Sequence, residues 1–234
     1  FIGQEKVVDL VLASLLCGGH ALLVGLPGLG KTRLVDTLGT VMGLKADRIQ
    51  FTPDLMPADI VGTQMVVEDE NGRKRFELQR GPIFGQLVLA DEINRATPKT
   101  QSALLEAMQE HACTIGGTRH ALEEPFFVLA TENPIEMEGT YPLPEAQLDR
   151  FMMRVKVGYP DQQAEQTMLL KYHERRGATP SVPRVLSTEE LTELQSRAFN
   201  ITCEASILEY VVRIVRASRD DRRLRLGASP RSAQ

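Results

Sequence analysis

The stretch GLPGLGKT, from Gly25 to Thr32, decides the fold of this chain. It matches the pattern G-x-x-x-x-G-K-[ST] of a phosphate-binding loop at every position. Residues 20–24 are mostly apolar and predict a buried strand, whereas residues 31–41 predict a helix with one apolar face. Strand, glycine loop and helix in this order are the context that the motif requires.

The residues of this loop have the chemistry that holds a nucleoside triphosphate. Glycines let the backbone curl and point N–H groups at an anion, and the helix N-terminus adds the positive end of its dipole. Lys31 would reach the β- and γ-phosphates, and the Thr32 hydroxyl would ligate Mg2+. The residues assigned to nucleotide binding are Gly25, Pro27, Gly28, Leu29, Gly30, Lys31, Thr32 and Arg33.

Polar residues follow two further apolar runs that predict buried strands. Asp91 and Glu92 end the run Gln86–Ala90, where Asp91 would hold Mg2+ through water and Glu92 would act as the base that polarises the attacking water. Asn133 follows the strand Phe126–Ala130. It would reach the γ-phosphate or orient the water, and the alternative of a turn asparagine before a proline stays open.

Two arginines far from the loop are weaker candidates for catalysis. Arg150 would act as a finger on a neighbouring subunit's nucleotide, but its spacing alone favours a surface ion pair with Glu145 or Asp149. Arg231 begins a predicted helix and would close onto the γ-phosphate, although spacing alone favours an ordinary residue of the first helical turn.

Composition limits the function classes. The 234 residues carry a net charge of −4, which does not favour nucleic acid or anionic membrane as a partner. Cys17, Cys113 and Cys203 are far apart and predict buried, reduced thiols in a reducing compartment. The four histidines lack ligand spacing, and no apolar run approaches the ~20 residues of a membrane span. The chain starts without Met and stops where a helix would begin, so both termini are expected to be truncated.

The pattern along the chain predicts two domains. An α/β core occupies residues 1–158 and carries a hairpin insert at about 63–79, and Cys113–Leu122 forms a second hairpin. After residue 158 the pattern is helical, at 162–175, 187–199 and 204–218, with the capping box Ser187…Glu190 opening the second helix. Residues 159–234 are therefore expected to form a small helical domain.

The order of these motifs resembles the Walker A, Walker B, sensor 1, arginine-finger and sensor 2 elements of AAA+ ATPases. More specifically, the chain resembles the MoxR family over essentially its whole length. The stretches that carry the resemblance are 28–32 (GLGKT), 81–84 (GPIF), 91–96 (DEINRA), 130–136 (ATENPIE), 139–151 (GTYPLPEAQLDRF) and 227–231 (GASPR).

The resemblance implies a parallel-sheet α/β core of the P-loop type, with a helical lid that is incomplete at the C-terminus. It implies ATP and Mg2+ as cofactors, bound between subunits of a cytoplasmic homo-oligomeric ring that is normally a hexamer. Arg150 would then act in trans and Arg231 as a sensor in cis, and both hairpins would face the axial channel and engage a substrate. The implied task is chaperone-like remodelling of a client, or insertion of a metal cofactor, often with a partner that carries a von Willebrand factor A domain.

Three rival functions share the nucleotide motifs. A helicase-like motor is favoured by Arg73-Lys74-Arg75 at the hairpin tip, but Glu68-Asp69-Glu70 balances that charge, so nucleic acid is not expected. An ATP-dependent metal chelatase subunit would differ only in its partner. A regulatory module that binds ATP without turnover is disfavoured by Glu92. A GTPase is disfavoured because no N-K-x-D motif is present.

Overall fold

The computed structural model describes residues 1–26, 28–68, 73–134, 139–176, 181–224 and 226–233. The strands are β1 (His20–Gly25), β2 (Ala46–Gln50), β3 (Gly62–Glu68), β4 (Lys74–Arg80), β5 (Leu87–Asp91), β6 (Ala112–Ile115), β7 (Thr118–Ala121), β8 (Phe127–Glu132) and β9 (Phe151–Val157). The α-helices are α1 (Glu5–Leu16), α2 (Lys31–Met42), α3 (Pro57–Val61), α4 (Pro98–Glu110), α5 (Glu145–Leu148), α6 (Gln162–Glu174), α7 (Thr188–Phe199) and α8 (Ala205–Asp220).

Five strands form a parallel sheet in the order β2-β5-β8-β1-β9. The strand that leads into the glycine loop, β1, therefore has β8 on one side and β9 on the other. Because all five run in the same direction, the carboxyl ends of β1, β5 and β8 meet at one edge, where α/β proteins bind their ligands. The α/β P-loop fold predicted from the sequence is confirmed.

The central strands are apolar because both faces of the sheet are covered. Every residue of β1 is buried, and so are the first four of β5. Alternate residues contribute to two apolar clusters: Leu22 and Val88 belong to one, and Leu23 and Leu89 belong to the other. This continuous burial fixes the register of the strands, because a shift by one residue would exchange the two faces.

Two antiparallel hairpins lie outside the main sheet. Strands β3 and β4 pair over residues 62–80, close to the predicted insert of 63–79, and the predicted tip residues 69–72 lie outside the described residues. The second hairpin pairs β6 with β7 through Gly116 and Gly117, both of which have positive φ. A Cβ at Gly116 would lie 2.3 Å from the side chain of Gln64, so the two hairpins touch.

After residue 158, the regular elements that the structure describes are the helices α6, α7 and α8 and a short 3-10 turn. The Asp161 carboxylate caps α6 by accepting from the Ala164 N–H at 2.8 Å. The predicted capping box is present at α7, where Ser187 and Glu190 bond reciprocally. Helix α7 packs against α1, and Gln195 Nε2 donates to the Leu15 carbonyl at 2.7 Å. The domain boundary at 158 and the lid assignment of 159–234 stay predictions.

Two sequence expectations need correction. Of the three cysteines, all free, only Cys113 is buried, whereas Cys17 and Cys203 are exposed. Cys113 is buried in strand β6. Cys17 is the C-cap residue of α1, and Cys203 lies in the irregular segment before α8, where solvent reaches both side chains. The sequence also predicts a short helix over residues 144–151, whereas in the structure α5 ends at Leu148 and β9 begins at Phe151. Among the described residues, no helix is long and apolar enough to cross a membrane.

Candidate active site

The glycine loop joins β1 to α2 with the backbone conformations that the motif requires. Gly28 and Gly30 have φ of 81° and 75°, a region that L side chains rarely adopt. A Cβ at Gly28 would meet nothing within 4 Å, which leaves the backbone open to close approach by a ligand. Gly25 is needed for packing instead, because a Cβ there would lie 2.5 Å from the Val157 carbonyl oxygen. Pro27 lies outside the described residues.

Lys31 is the first residue of α2 and points back along the loop. Its Nζ donates to the Gly25 carbonyl at 2.9 Å. Burial lowers the pKa of Lys31, and the carboxylates of Asp91 and Glu92 act in the opposite direction. The ammonium group therefore lies in the field of both predicted carboxylates, although 60 residues separate Lys31 from Asp91 in the sequence.

The other predicted loop contacts divide into two kinds. Thr32 follows Lys31 in the first turn of α2, and Arg33 is exposed on the same turn. Leu29 packs against the apolar cluster that contains Leu34, so its side chain anchors the loop and only its backbone can contact a phosphate. The structure thus places the described loop residues at one sheet edge, as the motif predicts.

Asp91 ends β5 and has a partner on each carboxylate oxygen. The Thr131 hydroxyl donates to Oδ1 at 2.6 Å, and Arg48 Nη2 donates to Oδ2 at 2.7 Å. The first partner comes from β8 and the second from β2, which are the two strands beside β5. Each carboxylate oxygen of Asp91 is therefore held by a donor from a strand beside β5.

Glu92 has a positive φ of 57°, which turns the chain sharply after β5. Its backbone N–H donates to the Thr131 hydroxyl at 2.8 Å. Its Oε2 accepts from Gln50 Nε2 at 3.1 Å and from Arg95 Nη1 at 3.0 Å. Because both donors engage the same oxygen, they orient the side chain and leave Oε1 as the oxygen suited to accept from a water molecule.

Asn133 lies directly after β8, the strand between β1, which leads into the glycine loop, and β5, which ends at Asp91. It is buried, with 4% of its surface exposed, and its carbonyl accepts from Asn94 Nδ2 at 3.3 Å. Burial distinguishes it from an ordinary turn asparagine, which would be solvated. Its role on the γ-phosphate stays a prediction.

Arg150 lies at the amino-terminal ends of the strands, whereas the glycine loop of its own chain lies at their carboxyl ends. The next residue, Phe151, pairs with His20 at the amino-terminal end of β1. Six residues of strand separate His20 from Gly25 inclusive, so the two ends of β1 are roughly 17 Å apart at ~3.3 Å per residue. Arg150 therefore does not approach the glycine loop that precedes it in the same chain.

The surface ion pair that spacing favoured for Arg150 is absent among the described residues. Its Nη1 donates instead to the Leu105 carbonyl of α4. The side chain lines a cleft of about 290 Å3, together with polar residues of α4 and α5. The members of this cleft are Ser102, Leu105, Glu106, Gln109, Glu110, Gln147 and Arg150.

Arg231 lies near the end of the chain, after α8. It begins a short 3-10 turn, Arg231–Ala233, rather than the predicted helix, and this turn packs against α8. Its charge acts on His20, at the end of β1 that lies away from the loop. The sensor role of Arg231 stays a prediction.

Sequence reasoning missed four residues that hold the acidic pair: Arg48, Gln50, Arg95 and Thr131. Arg48 and Gln50 lie two positions apart in β2, so they share one face of that strand, and Arg48 also donates to Gln50 Oε1 at 2.6 Å. The spacing of Arg48 and Gln50 could have indicated a contact with the acidic pair only if the pairing of β2 with β5 had been known. Strand order is a tertiary property, and the pattern of residues alone did not contain it.

Comparison with known proteins agrees with this geometry. The family described as "ATPase family associated with various cellular activities (AAA)" matches residues 20–153, from the start of β1 into β9. Chaperone MoxR1 of Mycobacterium tuberculosis is 45% identical over 242 residues, which cover 99% of this chain and 62% of that protein. The chain belongs to the MoxR family of AAA+ ATPases.

Two other matches cover the chain equally well. The uncharacterised protein YeaC of Bacillus subtilis is 46% identical over 233 residues, which are 99% of this chain and 71% of YeaC. A crystal structure of a candidate ATPase from Cytophaga hutchinsonii superimposes with a TM-score of 0.87 at 40% identity, over 99% of this chain and 72% of that one. The chain thus spans between 62% and 72% of the length of these three proteins.

The residues at the sheet edge fit a nucleotide with Mg2+. Thr32 and Asp91 offer a hydroxyl and a carboxylate, the hard oxygen donors that Mg2+ prefers. Within the described ranges, no group of three or more His, Cys, Asp or Glu residues could hold a metal ion without help. Mg2+ is usually bound by one or two carboxylates together with waters and substrate phosphates, and Asp91 offers one such carboxylate.

Proposed function

We propose that this MoxR-family chain hydrolyses ATP in a Mg2+-dependent reaction. The observation that carries the proposal is the convergence of Lys31, Asp91, Glu92 and Asn133 at one edge of the sheet, with the Lys31 pKa responding to both carboxylates. A phosphate cation, a metal-binding carboxylate and a general base are the parts that phosphoryl transfer to water requires.

Each residue has a defined task in this reaction. Lys31 exchanges the Gly25 carbonyl for the β- and γ-phosphates, and the backbone of Gly28–Gly30 supports the phosphate chain. Glu92, oriented by Gln50 and Arg95, polarises the attacking water. Thr32 and Asp91 would hold Mg2+, which would supply positive charge against the phosphates when bound.

Arg150 acts on the nucleotide of a neighbouring subunit. It is too far from its own glycine loop to do so in cis, because it precedes the strand residue that pairs with His20. A cation at an interface edge can stabilise the charge that develops on the transferred phosphoryl group of the next site. This task requires a closed ring, for which we propose the hexamer that is usual in the family.

The work of the ring is chaperone-like remodelling or activation of a client protein, with a von Willebrand factor A domain protein as the proposed class of partner. One relative, MoxR1, is named as a chaperone.

The β3–β4 hairpin offers a contact surface, because Val66 and Phe76 pair across the strands with 57% and 75% of their surfaces exposed. Arg75 of the same hairpin pairs with Glu77, so we propose no role on nucleic acid. The free cysteines suit the reducing cytoplasm.

The substitution Glu92→Gln tests the hydrolytic role. It keeps the shape of the side chain but removes the base, so turnover should fall by about 10²–10⁴-fold while ATP affinity is retained. Phosphate release and equilibrium binding of a fluorescent ATP analogue measure the two quantities. The matched control is Glu123→Gln on the exposed loop before β8, which should leave both unchanged. Unimpaired turnover in Glu92→Gln would show that another group is the base.

A further inference from the structure

Gln101 connects the acidic pair to the segment that carries Arg150. It lies in α4 and is completely buried. Its Nε2 donates to two carbonyls, that of Ile93 at 3.1 Å and that of Tyr141 at 2.8 Å. Ile93 follows Glu92 directly, whereas Tyr141 begins the path toward Arg150. One amide group therefore joins two parts of the chain that have different tasks.

The backbone of Tyr141 is held on both sides by this region. Its N–H donates to the Asn94 carbonyl at 2.6 Å, and its carbonyl accepts from Gln101. Residues 140–144 form no helix or strand, so no regular hydrogen-bond ladder fixes their course. The two bonds to the Tyr141 backbone, together with the buried side chain of Leu143, determine where this segment enters α5.

The other end of the segment is held by the same helix. The Leu105 carbonyl accepts from Arg150 Nη1, and Leu105 lies one turn after Gln101 on α4. At ~1.5 Å per residue, the two attachment points are roughly 6 Å apart along the helix axis. Helix α4 thus fixes both the beginning of the segment, at Tyr141, and its end, at Arg150.

Stability alone does not explain a glutamine at this position. Its Oε1 is buried and has no hydrogen-bond partner among the described residues. An unsatisfied buried oxygen costs free energy that an apolar side chain of similar volume would avoid. The amide is therefore suited to its two donated bonds, which hold the backbone at Ile93 and at Tyr141 in place.

We propose that Gln101 is a positioning residue for Arg150, and that it sets where this arginine meets the nucleotide of the neighbouring subunit. The effect falls on Arg150 rather than on Glu92, because Glu92 is oriented independently by Thr131, Gln50 and Arg95. This inference rests on the proposed ring function.

The test uses mixed rings of the full-length protein. A composite site takes its glycine loop and Glu92 from one subunit and Arg150 from the next. Glu92→Gln subunits supply an intact Arg150, and Arg150→Ala subunits supply an intact Glu92, so their mixture should recover part of the turnover. Gln101→Leu subunits should behave like Arg150→Ala subunits. In rings made only of Gln101→Leu subunits, turnover should fall by about tenfold or more while nucleotide affinity stays unchanged.

The pattern of recovery separates the two sides of the site. Gln101→Leu mixed with Glu92→Gln should recover turnover as the Arg150→Ala mixture does, and Gln101→Leu mixed with Arg150→Ala should not. The control Gln166→Leu alters an exposed glutamine of α6 that does not line the Arg150 cleft, and should leave turnover unchanged. Ring assembly is measured for every variant by sedimentation.

Four results would overturn the proposal. If Gln101→Leu subunits recovered turnover when mixed with Arg150→Ala subunits but not with Glu92→Gln subunits, Gln101 would act on the nucleotide site of its own chain. Recovery with neither, while Glu92→Gln and Arg150→Ala recover together, would make Gln101 purely structural. If that reference mixture itself fails although both variants assemble, the trans role of Arg150 fails as well. Gln101→Met provides a second, more flexible replacement, and failure of both variants to assemble would assign the residue to folding.

Discussion

Protonation of His20 should destabilise the fold as the pH falls below neutral. His20 begins β1 and is 5% exposed. Its Nδ1 accepts from the Val128 N–H at 3.0 Å, so the ring proton lies on Nε2, which donates to the Met108 carbonyl at 3.2 Å. A proton on Nδ1 would remove the bond from Val128 and place a charge in the core. The neutral ring is therefore the native form.

The magnitude follows from the pKa of His20, which is lowered from 6.5 to about 4. Burial is the main cause, the bond to Met108 opposes it, and the charges of His111 and Arg231 lower the pKa further. Because the native pKa is lower, the unfolded chain binds more protons below pH 6.5, and stability is lost as pH falls from there toward 4. The complete loss is about 3 kcal/mol, of which about 2 kcal/mol appears by pH 5.

Urea unfolding at pH 7.5 and pH 5 measures this loss, with His20→Asn as the non-titrating variant. Asparagine keeps an acceptor near the Val128 N–H, and the carboxylates that titrate in both proteins cancel in the comparison. The pH-dependent loss should be smaller in His20→Asn by about 2 kcal/mol, whatever its absolute stability. His173→Asn, on the exposed face of α6, should behave like the native protein. Equal pH dependence in His20→Asn, or a His20 NMR titration midpoint near 6.5, would refute the reasoning.

Three further predictions concern the site and the thiols. Lys31→Ala should lose about 1.5–3 kcal/mol of ATP binding, or roughly 10- to 150-fold in Kd, because a charge-assisted contact to phosphate is removed; calorimetry measures it. Thr131→Val should lower the free energy of unfolding by about 1–3 kcal/mol and reduce turnover, because the acidic pair loses its shared hydroxyl. Burial raises the pKa of the Cys113 thiol, so an aromatic disulfide reagent should label Cys17 and Cys203 rapidly and Cys113 only after unfolding.

Each of these predictions has a matched control or a contrary result. Lys171→Ala, on exposed α6, should leave ATP binding unchanged. Thr114→Val alters an exposed threonine of β6, and an equal loss of stability there would show that the effect is not specific to the acidic pair. Simultaneous labelling of all three thiols in the native protein would contradict the burial of Cys113.

The contiguous parts of the site were predictable because their chemistry is local. A strand, a glycine loop and a helix lie within residues 20–41, and the acidic pair follows its strand directly. Glycine conformation, helix dipole and strand burial act over a few residues, so the pattern of residues determines them. Asn133 was less certain, because a turn asparagine and a buried site asparagine have the same local sequence.

The supports of the acidic pair could not be predicted in the same way. Arg48 is 43 positions from Asp91, and Thr131 is 40 positions away. They meet because β5 has β2 and β8 as its neighbours, and that order depends on how the whole sheet is packed. The same holds for Cys17 and Cys203, whose exposure depends on what covers the ends of their elements.

The sequence by itself determined that this chain has a parallel α/β core with a phosphate-binding loop and an acidic pair of the MoxR type. Only the tertiary structure decided that Arg150 lies away from the loop, and that Arg48, Gln50 and Thr131 surround the carboxylates. The physical reason is distance along the chain. Hydrogen bonding and burial within one element depend on neighbouring residues, whereas contacts between elements depend on the order and direction in which the strands assemble.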